Sequence, residues 1–514
     1  MHRNIGVGTW IARRAQMTPE RTALVFGSRR YTYRELDDRI ARLAGVLMAR
    51  GLGRGDRVAF LGQNHPAALE LLFAAGRIGA VAVPLHPGFD EQVLVEIVAD
   101  AGPRILFFTE ALAPVVARIR PAIGVERFVC VGHAAGAEPY EAWVAEGSDQ
   151  QSHRPVGLDD LCLLAFSSGT TGRTKGVMLS HGNLLFNAMN LLCALDFVSD
   201  DVLLTSAPLY RMGGLGFVLP VFLKGGTCVL QEQADPERSL SLIARSGVTV
   251  LFDGPTAFEM LSFSPAFATA DLSSIRIAIT GGSHVPIALL RAFAARGIAL
   301  QQGYGLTEAA PVALVLDREE VSSRMGAAGR PPLFGAARVV GPDRSDVSVG
   351  EIGELWVAGP NVMQGYWQAP IATGRALTED GWLRTGDAAT ADADGTVSIV
   401  GRMVDALSLD GRILHPGPIE SSLRSVPGVA DAAIVQRRPR GTPAVFLVPD
   451  ADNAIDYERV HAILRDLALY PKATLRLVPS LPRNPNGKVL RRGLRERDDR
   501  APLLERFHAL NDVG

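Results

Sequence analysis

The sequence predicts an α/β protein. It has a large N-terminal body of mostly parallel sheets flanked by helices, a β-rich subdomain, and a small α+β C-terminal domain. Three observations carry this. Segments with apolar residues at helical spacing alternate with short apolar runs up to the GYG at 303–305. After about residue 330 the chain turns to short strands separated by Gly, Pro and Asp turns. A compact βα-type pattern then follows Arg402.

The elements follow in order. YRELDDRIARLAGVLMAR (33–50) places Leu36, Ile40, Leu43, Ala44 and Leu47 on one helical face, and Gly51 and Gly53 stop it. RVAFLG (57–62) reads as a short buried strand, ALELLFAAGRIG (68–79) as a helix and AVAVPL (80–85) as the next strand. EQVLVEIVADAG (91–102) is a helix leading into RILFF (104–108). The rhythm returns in ERSLSLIARSG (237–247), VTVLFDGP (248–255), SIRIAITGG (274–282), LLRAFAARG (289–297) and IALQQGYG (298–305). Such alternation implies a largely parallel sheet covered by helices on both faces. ARVV (337–340), GELWVAG (353–359) and TVSIVGR (396–402) are the β-rich strands. The strands DAAIVQR (431–437), PAVFLVP (443–449) and TLRLVP (474–479), with the helix YERVHAILRDLA (457–468), form the last domain. We place the boundary between 1–402, an N-terminal domain, and 403–514, a small lid.

At 514 residues the chain is long enough to bury a large core without disulfides or metal staples. Its 52 basic and 54 acidic residues nearly cancel, which argues against a protein built to bind nucleic acid or an anionic membrane. Cys130, Cys162, Cys193 and Cys228 form no CxxC pair, so they read as reduced thiols of a cytoplasmic protein rather than a zinc or redox site. The N-terminus lacks the apolar core of a signal peptide, and Arg77 interrupts the most apolar stretch, 71–85. No membrane span is expected.

The richest segment is LLAFSSGTTGRTKGV (163–177). An apolar strand runs into small hydroxyls and glycines, followed by Lys175. Gly169 and Gly172 let backbone N–H groups approach an anion, Ser167, Ser168, Thr170 and Thr171 donate to phosphate oxygens, and Lys175 adds charge. No GK[ST] closes the loop, so it is not the Walker pattern.

This segment resembles the phosphate-binding signature of the adenylate-forming superfamily, which includes acyl-CoA synthetases, aryl-CoA ligases, adenylation domains and firefly luciferase. Thr174 stands where the family usually has proline. QGYGLTE (302–308) resembles the nucleotide and metal motif. The resemblance implies that Tyr304 stacks on adenine, Thr307 touches the α-phosphate and Glu308 holds Mg²⁺. Gly281 and Gly282, in GGS, resemble the segment lining adenine and the acyl pocket, with Ala309 on the same wall. GWLRTGD (381–387) is similar to the ribose motif, with Asp387 accepting from the ribose hydroxyls, and Arg402 falls near the hinge and the ribose. In GELWVAGPNVMQGYW (353–367) the Trp and Tyr read as packing. LPRNPNGKVLRR (481–492) resembles the loop of the catalytic lysine, Lys488. An ammonium there lowers the repulsion between a carboxylate and the α-phosphate.

The resemblance implies that a carboxylate and ATP give an acyl-adenylate and pyrophosphate, after which the mobile C-terminal domain rotates and CoA attacks. The expected substrate is an aromatic or medium-chain acid, ATP and Mg²⁺ are required, CoA is the co-substrate, and a homodimer is within the family's range. Two regions depart from the pattern. In APLYRMGGLGF (207–217), Arg211 stands where the family commonly has histidine beside the acyl pocket. Either it meets an anion there, or it turns to solvent or pairs with a local acid. Gly213 leaves room beside it and Phe217 closes one side of the pocket. In GRMVDALSLDGRILHPGPIE (401–420), Val404, Asp410, Ile413 and Pro418 replace the usual residues of the thiolation face. This opens alternatives for the second step: a carrier-protein thiol, an amine, or nitrite activated for an aryl amine. His181 reads as capping or packing, and His415 is given no role.

Overall fold

The computed structural model describes residues 4–148, 154–167, 174–410, 412–436, 441–450, 453–483 and 489–497. The chain divides into two units. The first comprises Met1–Arg338, Trp356–Thr385 and Gly395–Val397; the second comprises Val339–Leu355, Gly386–Asp394 and Ser398–Gly514.

The first unit holds two eight-stranded sheets. One runs Val312–Val315, Leu300–Gly305, Ile277–Gly281, Val250–Asp253, Val202–Thr205, Thr227–Leu230, Thr22–Phe26, Arg29–Thr32. Its interior pairs are parallel and both edge pairs are antiparallel. The other runs Gly365–Tyr366, Lys175–Ser180, Leu161–Ser167, Val81–Leu85, Arg57–Leu61, Ile105–Thr109, Arg127–Val131, Glu138–Pro139. It is parallel from Leu161–Ser167 onward and antiparallel before that. The mostly parallel body follows from the sequence rhythm, because strands joined through a helix return in the same direction. The segment after residue 330 divides. Strands Ala336–Val340, Gly353–Ala358, Leu383–Ala391 and Val397–Arg402 form their own sheet, whereas Gly365–Tyr366 joins a large sheet as its edge.

The helix Tyr33–Ala49 shows how local chemistry sets an element. Thr32 accepts from the Glu35 N–H, Glu35 accepts from the Thr32 N–H, and Leu36, Ile40, Leu43, Ala44 and Leu47 are buried. Beyond Arg50 the chain leaves the helix at Gly51, with φ +78°. Arg77, which interrupts the apolar 71–85 stretch, is buried. Its guanidinium pairs with Asp37 and donates to the Gly8 carbonyl at 3.1 Å, so the charge is compensated inside the helix layer. His181 opens the helix His181–Ala194, whose cap is Ser180. Its Nδ1 accepts from the Val7 N–H at 3.1 Å, and burial holds its pKa near 4.

In the second unit, strands Val429–Gln436, Pro443–Pro449 and Thr474–Leu477 form a three-stranded sheet. Helices Pro416–Arg424 and Tyr457–Asp466 bury Ile419, Leu423, Val460 and Leu464 in the same core as Ile434, Val445 and Leu475. Among the described residues, no helix is long and apolar enough to cross a membrane.

Candidate active site

In the first sheet, Val202–Thr205 lies between Thr227–Leu230 and Val250–Asp253, so successive crossovers leave it in opposite directions. In the second, Arg57–Leu61 lies between Val81–Leu85 and Ile105–Thr109 in the same way. Open α/β sheets bind ligands beyond the carboxyl ends of their strands at such switch points. Here the two switch points are stitched together. Asn64, three residues past Leu61, is buried and donates from Nδ2 to the carbonyls of Ser206 (3.0 Å), Ala207 (3.1 Å) and Gln231 (3.0 Å). Its Oδ1 accepts from the Leu209 N–H at 2.8 Å. One side chain with four bonds thus fixes the loop that carries Arg211. No local pattern signals this role, because the partners are distant in the chain.

The strands on either side of the phosphate loop, Leu161–Ser167 and Lys175–Ser180, are antiparallel neighbours registered Ser167 to Lys175. Ser168, Gly169, Thr170, Thr171 and Gly172 lie outside the described residues, as does the side chain of Ser167. Lys175 Nζ sits 4.8 Å from the centroid of the Tyr366 ring. The Tyr366 hydroxyl donates to Glu308 Oε1 at 2.9 Å. The Trp367 N–H donates to the Gly176 carbonyl at 2.7 Å and the Met363 N–H to the Glu308 carbonyl at 2.8 Å, so this segment ties the phosphate loop to the Thr307–Ala309 turn. Trp367 packs as the sequence predicts, its Nε1 donating to the Asp100 carbonyl. Tyr366 does more than pack: it joins the two charged candidates, Lys175 and Glu308.

Thr307, Glu308 and Ala309 form one short turn directly after the strand that carries Tyr304, and Ala310 leaves it at φ +61°. Asn361, buried, donates to the carbonyls of Ala309 (2.7 Å) and Val312 (2.8 Å), which over-determines this strained exit. Asn361 also escaped the sequence reading.

Among the pocket candidates, Gly281 has a steric reason for its identity: a Cβ there would meet the Gly303 carbonyl oxygen at 2.3 Å. Gly282 has φ +87° with open space where a side chain would stand. Gly213 also faces open space. Phe217 stacks on Phe252 at 3.7 Å with an interplanar angle of 6°, and Ala309 is fully buried, so both serve as wall packing. Asp253, at the end of the switch-point strand, accepts from the Ser206 N–H (2.8 Å) and hydroxyl (2.5 Å), and burial pushes its carboxyl above the ordinary range. Arg211 Nη2 lies 3.2 Å from His86 Nε2, a partner from the carboxyl end of Val81–Leu85.

In the second unit, buried Asp387 pairs with Arg402 Nε at 3.0 Å. Lys488 lies outside the described residues; Arg483 and Val489, on either side of its loop, form an antiparallel bridge. Asp405, just after the hinge arginine, pairs with Arg491 (3.3 Å) and Arg495 (2.9 Å), and Arg491 also forks onto buried Glu420. The divergent 404–418 stretch contains a hairpin, Leu407–Leu409 against Arg412–Leu414. Asp410 takes φ +50°, the conformation a glycine adopts without cost, and pairs with Lys472. His415 precedes the helix Pro416–Arg424 at its N-cap position, is buried, and makes no side-chain capping bond.

Residues 11–367 match the family described as AMP-binding enzyme. A feruloyl-CoA synthase from Amycolatopsis sp is 42% identical over 507 residues, 96% of this chain and 99% of the relative. An indoleacetate–CoA ligase from Aromatoleum aromaticum is 33% identical over 505 residues, 96% and 99% of the two chains. Among solved structures, ATP-bound MatB from Rhodopseudomonas palustris superposes with a TM-score of 0.87 at 31% identity, covering 95% of this chain and 98% of that one.

Proposed function

The chain belongs to the AMP-binding enzyme family, and on that premise we propose how its residues divide the work of an AMP-forming acyl-CoA ligase. The enzyme activates a carboxylic acid with ATP and transfers the acyl group to CoA. The carboxylate oxygen attacks the α-phosphorus and pyrophosphate leaves. The CoA thiol then attacks the acyl carbonyl, and AMP leaves. The observation that carries the reading is the likeness to CoA ligases over nearly the whole of both chains.

The acid we propose is aromatic, with a medium-chain acid second; the aryl acids named in the two relatives support this order. The 168–172 backbone and hydroxyls with Lys175 hold the ATP phosphates. Tyr304 stacks on adenine, Thr307 meets the α-phosphate, and Asp387, oriented by Arg402, takes the ribose. Arg211, Gly213, Phe217, Gly281, Gly282 and Ala309 shape the acyl side. Lys488 brings its ammonium to the carboxylate and α-phosphate, which lowers the cost of joining two anions. Little covalent protein chemistry is needed, so positioning dominates.

Glu308 fits a Mg²⁺ ligand: it is a half-buried hard-oxygen donor whose carboxylate the Tyr366 hydroxyl steadies. Bound there, the ion neutralises charge on the polyphosphate. Rotation of 403–514 about Arg402 to Val404 exchanges the adenylation and thiolation faces, and exposed Met403 and Val404 suit a hinge free of packing. Dependence on ATP and CoA agrees with a cytoplasmic enzyme, and a homodimer is the assembly to test by light scattering. The deciding experiment for the reading is pyrophosphate release across aromatic and medium-chain acids with CoA, with mass spectrometry of products. Thioesters of aromatic acids with AMP are expected; release of pyrophosphate with no acid above background overturns it.

A further inference from the structure

The helix His181–Ala194 begins where the strand after the phosphate loop ends. It carries three buried asparagines, Asn183, Asn187 and Asn190, spaced so that they share one face. Asparagine is a poor helix former, and a buried carboxamide is costly unless bonded, so this face needs tertiary partners. Each asparagine grips main chain. Asn183 donates to the carbonyls of Pro360 (2.9 Å) and Val362 (2.8 Å), and Asn190 accepts from the Phe334 N–H at 3.0 Å. Asn187, fully buried, donates to the Gly216 carbonyl at 3.1 Å and accepts from the Val312 N–H at 3.1 Å. Both of its partners are main-chain groups of fixed polarity, which settles the orientation of the amide. The Gly216 carbonyl is available for a local reason. It lies in the helix Met212–Lys224, and the residue four positions on, which would donate to it, is Pro220, which has no N–H. Gly216 also lets this helix close on the chain at Pro311, since a Cβ there would meet Pro311 Cδ at 2.2 Å. Val312 is held from its other side by Asn361, which takes its carbonyl. Asn187 thus joins the helix that carries Gly213 and Phe217 to the chain leaving the Thr307–Ala309 turn, at the point where a proline breaks the helical ladder.

We propose that Asn187 is a positioning residue for adenylate formation: it sets the acyl-side helix in register with the nucleotide-side turn, so that the carboxylate of the acid meets the α-phosphorus in line. The inference rests on the acid-activating reading above. Each substrate touches its own wall, so loss of the clamp leaves separate binding intact and displaces the two walls relative to each other. A displacement on the order of 1 Å costs a large factor in rate. A residue that only stabilised the fold would lower the unfolding midpoint and leave the chemical step of the folded enzyme unchanged.

The test uses the full chain. Asn187→Leu cuts both bonds, and Asn190→Leu is the matched loss of a buried asparagine one turn on. Single-turnover adenylate formation with an aromatic acid, equilibrium binding of ATP and of the acid, and urea unfolding are measured for each. Asn187→Leu is expected to form adenylate about tenfold or more slowly, with both dissociation constants within about twofold of wild type. Asn190→Leu is expected to lose stability and keep the rate. Asn187→Asp, which keeps the acceptor for Val312 and loses the donor for Gly216, is the milder variant and falls between. In Asn187→Leu/Pro220→Ala the Gly216 carbonyl regains a helical N–H while the link to Val312 stays cut, so the urea midpoint rises and the rate stays low. An Asn187→Leu rate within about twofold of wild type, an equal slowing in Asn190→Leu, or a rate restored together with the midpoint by Pro220→Ala overturns the proposal. Amide hydrogen exchange at Val312 and across 212–219 reads the clamp without turnover. Faster exchange at both in Asn187→Leu is expected, and unchanged exchange overturns the proposal. A wild type that forms no adenylate with any acid counts against the acid-activating reading, and exchange still decides the clamp, so the two fail separately.

Discussion

Replacing Tyr366 with Phe tests whether the Tyr366–Glu308 contact orients the metal and phosphate end of the site. The substitution deletes one hydroxyl, which donates to Glu308 Oε1 at 2.9 Å, and keeps the ring beneath Lys175 Nζ. A hydrogen bond to a charged group is worth roughly 1.5–3 kcal/mol net. Both side chains are half-buried, so water recovers part of the loss and about 1–1.5 kcal/mol remains. At about 1.4 kcal/mol per tenfold, kcat/KM for MgATP falls roughly 5- to 12-fold. The assay is initial-rate pyrophosphate release at saturating acid and CoA, varying MgATP, then varying free Mg²⁺ at fixed ATP. The free Mg²⁺ giving half-maximal rate is expected to rise, because the carboxylate is no longer held. Trp367→Phe is the control: its Nε1 donates to the Asp100 carbonyl, away from Glu308, and wild-type kinetics are expected. A Tyr366→Phe enzyme within about twofold of wild type, or a Trp367→Phe enzyme with the same drop and the same Mg²⁺ shift, rules out this role for the Tyr366 hydroxyl.

Lys488→Ala should slow acyl-adenylate formation by orders of magnitude while ATP still binds; single-turnover adenylate formation beside equilibrium ATP binding checks both. Asp387→Ala should raise the ATP requirement sharply, since it removes the proposed ribose acceptor and the partner of Arg402, and steady-state KM for MgATP measures it. Asn64→Ala strands three carbonyls and one N–H beneath the Arg211 loop, so about 2–4 kcal/mol of stability should be lost in urea unfolding, with a higher KM for the acid. For pH, His181 has a folded pKa of about 4, pushed down by burial against a smaller opposing pull from Asp160. The unfolded chain, with a pKa near 6.5, binds the extra proton first. Its contribution is therefore complete above about pH 6.5 and is lost toward pH 4, at up to about 1.4 kcal/mol per pH unit. His181→Phe should flatten that part of the stability profile between pH 7 and 5, as followed by urea midpoints.

Whatever depends on neighbours in the chain is written in local residue patterns. Helical spacing from Leu36 to Leu47, the Thr32–Glu35 cap and the run of hydroxyls and glycines before Lys175 are local patterns, and local sterics and hydrogen bonding decide them. The order of motifs was enough to expect the family, the parallel body and the second, smaller α+β unit. Which side chains meet at the sheet ends is set by how the sheets fold and pack. Tyr366 reaches Glu308 across 58 residues, Arg211 reaches His86 across 125, and Asn64 spans 142 to 167 residues to its carbonyls. The Arg211 and Asn64 contacts exist because parallel strands deliver their carboxyl ends to one side of each sheet, whatever their separation in the chain, whereas Tyr366 arrives on an antiparallel edge strand. Tyr366 looked like packing for that reason: its hydroxyl has a chemical role only once a sheet edge brings it to Glu308. Arg211 was legible as an unusual charge, but a residue it meets, His86, follows a strand of a different sheet.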